Sequence, residues 1–439
     1  GLTHLHLLPS FDIATVNEDK STWQTTANLT GFARNSSSQQ AAVNAVRGAD
    51  GYNWGYDPVH YTVPDGSYAV NPDGVSRVLE YRKMVAAINA DGLRVVSDVV
   101  YNHTNSSGQN TNSVLDEIVP GYYYRLNSDG SVATSTCCQN TATEHKVMAK
   151  LVRDSIGVWA KDYKIDGFRF DIMGHMPKAL LLQIRGDLNK LTPANSGVDG
   201  KKVILYGEGW DFGEVQGGSR FVQATQANLG GTGIGTFDDR LRDAVRGGGP
   251  FDSDPRIQGF GSGLYTMPNG ATVNGTKDGQ FYSLAQVTDN VRLGLTGELA
   301  DYMLTTSAGY PAPGSEILYN GSPGAGYTSN PTEAISYVDA HDGTLLYDNL
   351  AYKLKRTTPI ADRARLQVLN LGLILMGQGI PFFAAGSEQL RSKSMDKNSY
   401  DSGDWFNAID WSMTNNGFGR GLPMKGDNGQ WWSIASPLL

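Results

Sequence analysis

The chain has 439 residues and carries 36 Lys and Arg against 44 Asp and Glu, a net charge of −8. That balance, with no cluster of basic residues, argues against a nucleic-acid partner, and a 40% share of hydrophobic residues excludes disorder as a description of the whole. Charged residues reach only 18%, with 53 Gly, 21 Tyr and 8 Trp filling part of the deficit. A neutral, aromatic surface of this kind suits a hydroxyl-rich ligand such as a carbohydrate, and equally suits a loop-rich secreted protein.

In chain order, the first strand candidate is THLHLLP (3–9), followed by a long aromatic and Gly-rich stretch (10–74). That stretch contains YNWGYDP (52–58), either a packed turn or a stacking platform on which Trp54 and Tyr56 meet a sugar ring. A helix is predicted over 75–92, and Gly92 supplies its C-terminal stop. Next comes the strand RVVSDVVYNH (94–103), whose polar end carries Asp98 and His103. A second helix is predicted over 144–163.

The strand DGFRFDIM (166–173) places Arg169 and Asp171 two residues apart, on one face of an extended chain. An inward Arg beside an Asp keeps the carboxylate ionised, as a nucleophile requires, or else forms a structural ion pair. His175 follows closely. KVILYGEGW (202–210) ends in Glu208, flanked by Gly207, Gly209 and Trp210. Glycines let a ligand approach the backbone, and an aromatic neighbour with partial burial would raise the carboxyl pKa as a general acid needs. The bland reading is a strand-end turn.

Strands GIGTF (233–237), AISYVDAHD (334–342) and IPFFAAGSE (380–388) follow, with a helix over 362–379 between the last two. His341 and Asp342 close the second of these and could grip vicinal hydroxyls. Zinc binding by His341, His103 and His175 lacks the short spacings such sites use. The adjacent Cys137 and Cys138 can form a vicinal disulfide or remain two thiols, and cannot cross-link distant loops. The apolar run 369–383 is interrupted by Asn370, Gln378 and Pro381 and is too short to span a membrane.

Strand–helix alternation implies a parallel α/β sheet. Polar groups at the C-terminal ends of at least five strands favour closure into a (β/α)8 TIM barrel, where those ends converge. The first candidate looks like a second barrel strand because a long loop follows it. The expectation is therefore one catalytic barrel over 1–439, truncated at its first strand and C-terminal β domain, with 10–74 as a loop subdomain.

The motifs DVVYNHT, GFRFDIMGH, YGEGW and YVDAHDG, in that order, make the whole chain resemble the α-amylase superfamily of glycoside hydrolases. YNWGYDP, STCCQNTATEH (135–145), YGEGWDFGEV (206–215), GTGIGTFDDRLRDAVRGG (231–248) and RSKSMDKNSYDSGDWFN (391–407) narrow the resemblance to its type I pullulanase and limit-dextrinase group. The resemblance implies a retaining endo-hydrolase of α-1,6 links in pullulan, amylopectin or limit dextrins. It assigns Asp171 as nucleophile, Glu208 as acid/base and Asp342 as transition-state stabiliser. Tyr56, Trp54, Asp98, His103, Arg169, His341, Trp210 and His175 fall to substrate binding.

The chemistry needs no cofactor, and the group often binds a structural calcium whose ligands are not assignable from the sequence. The expected partner of the monomer is an α-glucan. The expected setting is extracellular or at a bacterial cell surface, or the plastid if the source is a plant. Isoamylase- or amylase-like hydrolysis and a catalytically dead glycan binder are the rival readings. Two departures from the group's pattern stand out, Gly343 where Asn is common and Ser387 where Asp is frequent.

Overall fold

The structure, a computed structural model, describes all residues from Gly1 to Leu439. The chain divides into two compact units, one of Gly1–Trp23 with Asn53–Thr236, the other of Gln24–Tyr52 with Phe237–Leu439. The predicted 10–74 subdomain is thus shared between them, because 24–52 belongs to the second unit.

In the first unit, parallel strands β1 (His4–Leu7), β2 (Arg94–Val99), β3 (Gly167–Phe170) and β4 (Ile204–Gly207) pair side by side in chain order. The opening residues of β5 (Gly235–Phe237) pair with the end of β4. The register sets Asp98 beside Arg169 and Arg169 beside Tyr206, so one row of the sheet carries three polar side chains. Helix α1 (Ser76–Ala90) connects β1 to β2, α2 (Lys146–Asp162) connects β2 to β3, and α3 (Lys178–Leu188) connects β3 to β4. This is the strand–helix–strand repeat that parallel pairing demands.

Helix α2 shows why the sequence folds this way. Met148, Val152, Ser155, Ile156, Trp159 and Ala160 recur at helical spacing and are its buried residues. Trp159 packs against Tyr81 and Tyr163, and its indole N–H donates to the Tyr61 carbonyl at 2.9 Å, so the largest core side chain leaves no polar atom stranded.

In the second unit, β6 (Ala334–Ser336) pairs in parallel with β7 (Ile380–Pro381). Around them lie α4 (Asp239–Arg246), α5 (Lys277–Gly294), α6 (Leu346–Lys353) and α7 (Ile360–Met376), which share a core of Leu241, Val245, Val291, Leu346, Leu350 and Ile374.

The strands are shorter than the sequence predicts, most of them chiefly at the C-terminal end, whereas β5 loses Gly233 and Ile234 at its start. Regular pairing stops at Phe170, Gly207, Ser336 and Pro381, so Asp171, Glu208, Asp342 and Glu388 all lie beyond it. Asp171 and Glu208 still donate their backbone N–H groups to the Val99 carbonyl at 2.9 Å and the Phe170 carbonyl at 3.2 Å, while their side chains turn to polar partners. No helix is long and apolar enough to cross a membrane.

Candidate active site

Arg169 organises the first unit's polar cluster. Its Nη1 donates to Asp98 Oδ1 and to Asp171 Oδ1, each at 2.9 Å, and its Nη2 lies 3.0 Å from Glu208 Oε1. Burial opposes its charge, but Asp98, Glu208, Tyr56 and Asp171 together hold its pKa well above the ordinary value. The Asp98 and Arg169 side chains are 0% and 2% exposed, those of Asp171 and Glu208 10% and 14%. One buried guanidinium therefore anchors two carboxylates whose tips reach the surface.

Each carboxylate has a second support. Asp171 Oδ2 accepts from Asn102 Nδ2 at 2.9 Å, and Glu208 Oε2 accepts from the Ile172 N–H at 2.9 Å. Ile172 adopts φ +41°, a left-handed conformation costly for a β-branched residue. That turn brings its N–H onto Glu208. Close backbone approach continues at Gly174, whose N–H donates to the Glu208 carbonyl at 2.9 Å, and where a Cβ would run into the Trp210 carbonyl. Both oxygens of Glu208 are thus engaged, one by the Arg169 guanidinium and the other by the Ile172 N–H.

Around this core, Tyr56 donates its hydroxyl to Asp98 Oδ2 at 2.6 Å, and its half-buried ring faces the Arg169 guanidinium at 5.6 Å. Trp54 is buried and meets Tyr56 edge-on. His103 is buried, with Nδ1 at 2.7 Å from Asn102 Oδ1 and Nε2 at 2.7 Å from the Tyr56 carbonyl. Burial lowers its pKa, partly countered by Asp171 and by the Tyr56 carbonyl. His6 joins from β1, with Nε2 at 3.3 Å from Asp98 and Nδ1 at 3.1 Å from the Tyr206 hydroxyl. Asn102, His6, Tyr206 and the Ile172 N–H were missed by sequence reasoning. The alternation of His4 and His6 in HLHL was the one available signal, since neutral residues and backbone groups carry no charge pattern.

Beyond Glu208, Trp210 is half-buried, while His175 is fully buried with its ring 4.5 Å from that of Phe212. Arg125, also buried, ties three segments together. It reaches Glu144 through Nε at 3.0 Å and Nη2 at 2.9 Å, Glu214 through Nη1 at 2.9 Å, and the His175 carbonyl through Nη2 at 3.0 Å. Burial works to raise Glu214, but hydrogen bonds from Ser135, Arg125 and Asn140 hold it down at about 2. Burial pushes His175 down to about 4, with Glu214 opposing and Arg125 assisting.

His175 therefore folds neutral, and the unfolded chain binds a proton there first. Its contribution is complete above the unfolded pKa near 6.5 and is lost as pH falls towards 4. Denaturant unfolding at pH 7 and 4.5 should show about 2–3 kcal/mol less pH-dependent loss in His175→Gln than in the native chain.

In the second unit, His341 Nε2 lies 3.3 Å from Asp342 Oδ2, and Asp342 is largely exposed. The His341 carbonyl accepts from buried Lys393 at 2.8 Å, whose pKa burial lowers to about 8. Gly343 has φ +74° with open space around its Cβ position, a conformation Asn tolerates next best. Ser387 donates to Asp339 Oδ2 at 2.6 Å, both residues being buried. An Asp at 387 would set a second buried carboxylate against Asp339. Ser387→Asp should cost about 3–5 kcal/mol of stability by denaturant titration, with a smaller loss at pH 4 where one carboxyl can take a proton.

A calcium site has one acidic candidate, Asp12, Glu18 and Asp65, whose ligand atoms lie within 4.8 Å of one another. It does not fit the ion. Arg77 already binds Glu18, His60 pairs with Asp12, and Asp65 accepts from the N–H groups of Ile13 at 2.9 Å and Ser67 at 2.8 Å.

No family model matches the sequence. Pullulanase 1, chloroplastic, of Arabidopsis thaliana is 48% identical over 442 residues, covering 100% of this chain and 46% of that protein. The pullulanase of Klebsiella aerogenes is 46% identical over 474 residues, covering 99% and 42%. The crystal structure of apo pullulanase from Klebsiella pneumoniae matches with TM-score 0.93 and 44% identity, covering 100% of this chain and 50% of that one. Its maltotriose complex matches with TM-score 0.92 and 44% identity, covering 100% and 44%. The chain spans about half the length of these relatives.

A parallel α/β fold with paired carboxylates just past its strand ends accompanies these matches. Over its whole length the chain is a homologue of about half of each pullulanase, at a level of identity consistent with the type I group of the α-amylase superfamily.

Proposed function

We propose that the chain carries the catalytic region of a debranching endo-hydrolase that cleaves α-1,6-glucosidic links in pullulan, amylopectin and limit dextrins. The observation that carries this reading is the Arg169 fork, which holds Asp171 and Glu208 side by side while leaving only their tips open. Two carboxylates so placed are what a retaining glycosidase uses. Asp171, held by Arg169 and Asn102, attacks the anomeric carbon, and Glu208 protonates the departing oxygen. Glu208 then takes a proton from water, which hydrolyses the glycosyl–Asp171 ester.

Glu208 sits paired with Arg169 in this structure, with its side chain partly exposed to an incoming sugar. Tyr56 offers a half-buried ring for stacking, and Asp98 and His103 are the hydrogen-bonding groups beside it. Trp210 is assigned to the leaving-group side, and His175 supports the loop from beneath. His341 and Asp342 are assigned, on the resemblance, the role of gripping the distorted sugar. All the chemistry is carried by carboxyl groups, so no cofactor is invoked.

We read the parallel strands as those of a (β/α)8 barrel. The proposed setting is extracellular or cell-surface for a bacterial source and the plastid for a plant one, as for the chloroplastic relative in Arabidopsis thaliana.

Incubation with pullulan and, separately, with linear amylose tests the reading. Maltotriose from pullulan with amylose untouched is the expected result. Cleavage of amylose alone would move the chain to amylase-like hydrolysis, and binding of both without product would make it a glycan binder.

A further inference from the structure

Cys137 and Cys138 are the chain's only cysteines, and they are joined as a disulfide on a partly exposed loop. The mechanism uses no sulfur. Yet Cys137 Sγ lies 3.7 Å from His103 Nε2, and a ring nitrogen of His103 and both sulfurs all fall within 4.8 Å of one another. The orientation of the ring is fixed from behind. Asn102 commits its NH₂ to the Asp171 carbonyl at 2.8 Å and to Asp171 Oδ2 at 2.9 Å, so its Oδ1 is the acceptor that faces His103 Nδ1. Nε2 is the nitrogen on the side of the sulfurs, where it also meets the Tyr56 carbonyl at 2.7 Å, and a cation bound there takes the place of that contact and of its proton. A hydrogen bond on the far nitrogen is the device by which proteins set a ligating imidazole.

We propose that, once the disulfide is reduced, Cys137, Cys138 and His103 form a three-donor site for one soft divalent cation such as Cd²⁺ or Zn²⁺. A phosphine or dithiol reductant supplies two electrons and is itself oxidised. The S–S bond breaks, and each sulfur takes up one proton. The cation then displaces both thiol protons, together with any proton on His103 Nε2, and binds two thiolates and one imidazole with a position left open. Thiolates select soft cations over Mg²⁺ or Ca²⁺. Because His103 is linked through Asn102 to Asp171, occupancy should also block hydrolysis, and that consequence alone rests on the proposed function.

The test uses the full chain, reduced with a phosphine, desalted and titrated with Cd²⁺ without oxygen while ultraviolet thiolate-to-metal absorption is followed. With no other cysteine present, any band reports this pair. One Cd²⁺ per reduced chain and none per oxidised chain is expected. Cys137→Ser and Cys138→Ser should each weaken binding at least about tenfold, and His103→Ala should do so while keeping the band. If His103→Ala loses the native circular dichroism, His103→Gln replaces it. No band in the reduced chain, or undiminished affinity without the imidazole, would overturn the site. Cd²⁺ should abolish pullulan cleavage reversibly on chelation; a chain inactive on pullulan before any metal is added would count against the functional reading and leave the site standing.

Discussion

Asp171→Asn and Glu208→Gln should each lower kcat on an α-1,6-linked glucan by on the order of 10⁴-fold or more, with KM moved far less. The amide oxygen can still accept from Asn102 or from the Ile172 N–H, while the NH₂ that replaces the other oxygen faces Arg169, so circular dichroism of each variant should accompany the kinetics. What they remove differs. An amide at position 171 could not form the glycosyl ester, whereas an amide at position 208 could not protonate the leaving oxygen. A maltotriosyl fluoride, which departs without acid help, should therefore recover much of the first step in Glu208→Gln and none in Asp171→Asn. Equal loss on both substrates in both variants would refute the division of roles.

Arg169→Met should be the most damaging single change to the cluster. It leaves Asp98, Asp171 and Glu208 facing one another with their shared cation gone, and breaking a buried pair in this way costs about 3–5 kcal/mol. Denaturant unfolding at pH 7 measures it. Below about pH 4 the penalty should shrink, because carboxyls that have lost their cation can take up protons. Arg169→Lys restores charge but not the fork that reaches Asp98, Asp171 and Glu208 from two nitrogens, so it should recover only part of the stability. A loss below about 1 kcal/mol for Arg169→Met would mean that the pairing contributes no more than an exposed ion pair does.

The polar ends of apolar runs made much of the site legible. Arg169 and Asp171 stood out because a charged pair two apart in FRFD interrupts an otherwise apolar segment, and Glu208 because glycines flank it. Asn102 lay inside the quoted motif DVVYNHT but carries no charge to single it out. The Ile172 N–H depends on a left-handed turn that a β-branched residue gives no reason to expect. Arg125 reads as one surface cation among many until the chain folds it against Glu144 and Glu214.

The fold shows the same limit. The 3.6 period of α2 and the apolar runs of β2 to β4 are local and survive in the sequence. The transfer of residues 24–52 to the second unit rests on contacts distant in sequence, such as the Leu422 N–H donating to the Ser36 carbonyl and buried Val43 packing with Phe406. The pairing of Cys137 with Cys138, left open by the sequence, is a disulfide.

Trapping the covalent intermediate tests the central claim most directly. Turnover of a fluorinated maltotriosyl fluoride, followed by protease digestion and mass spectrometry, should find one glycosyl adduct, on the peptide containing Asp171, and product released with its anomeric configuration retained. An adduct on any other residue, or product of inverted configuration, would contradict the assignment of Asp171 as nucleophile and Glu208 as its acid/base partner.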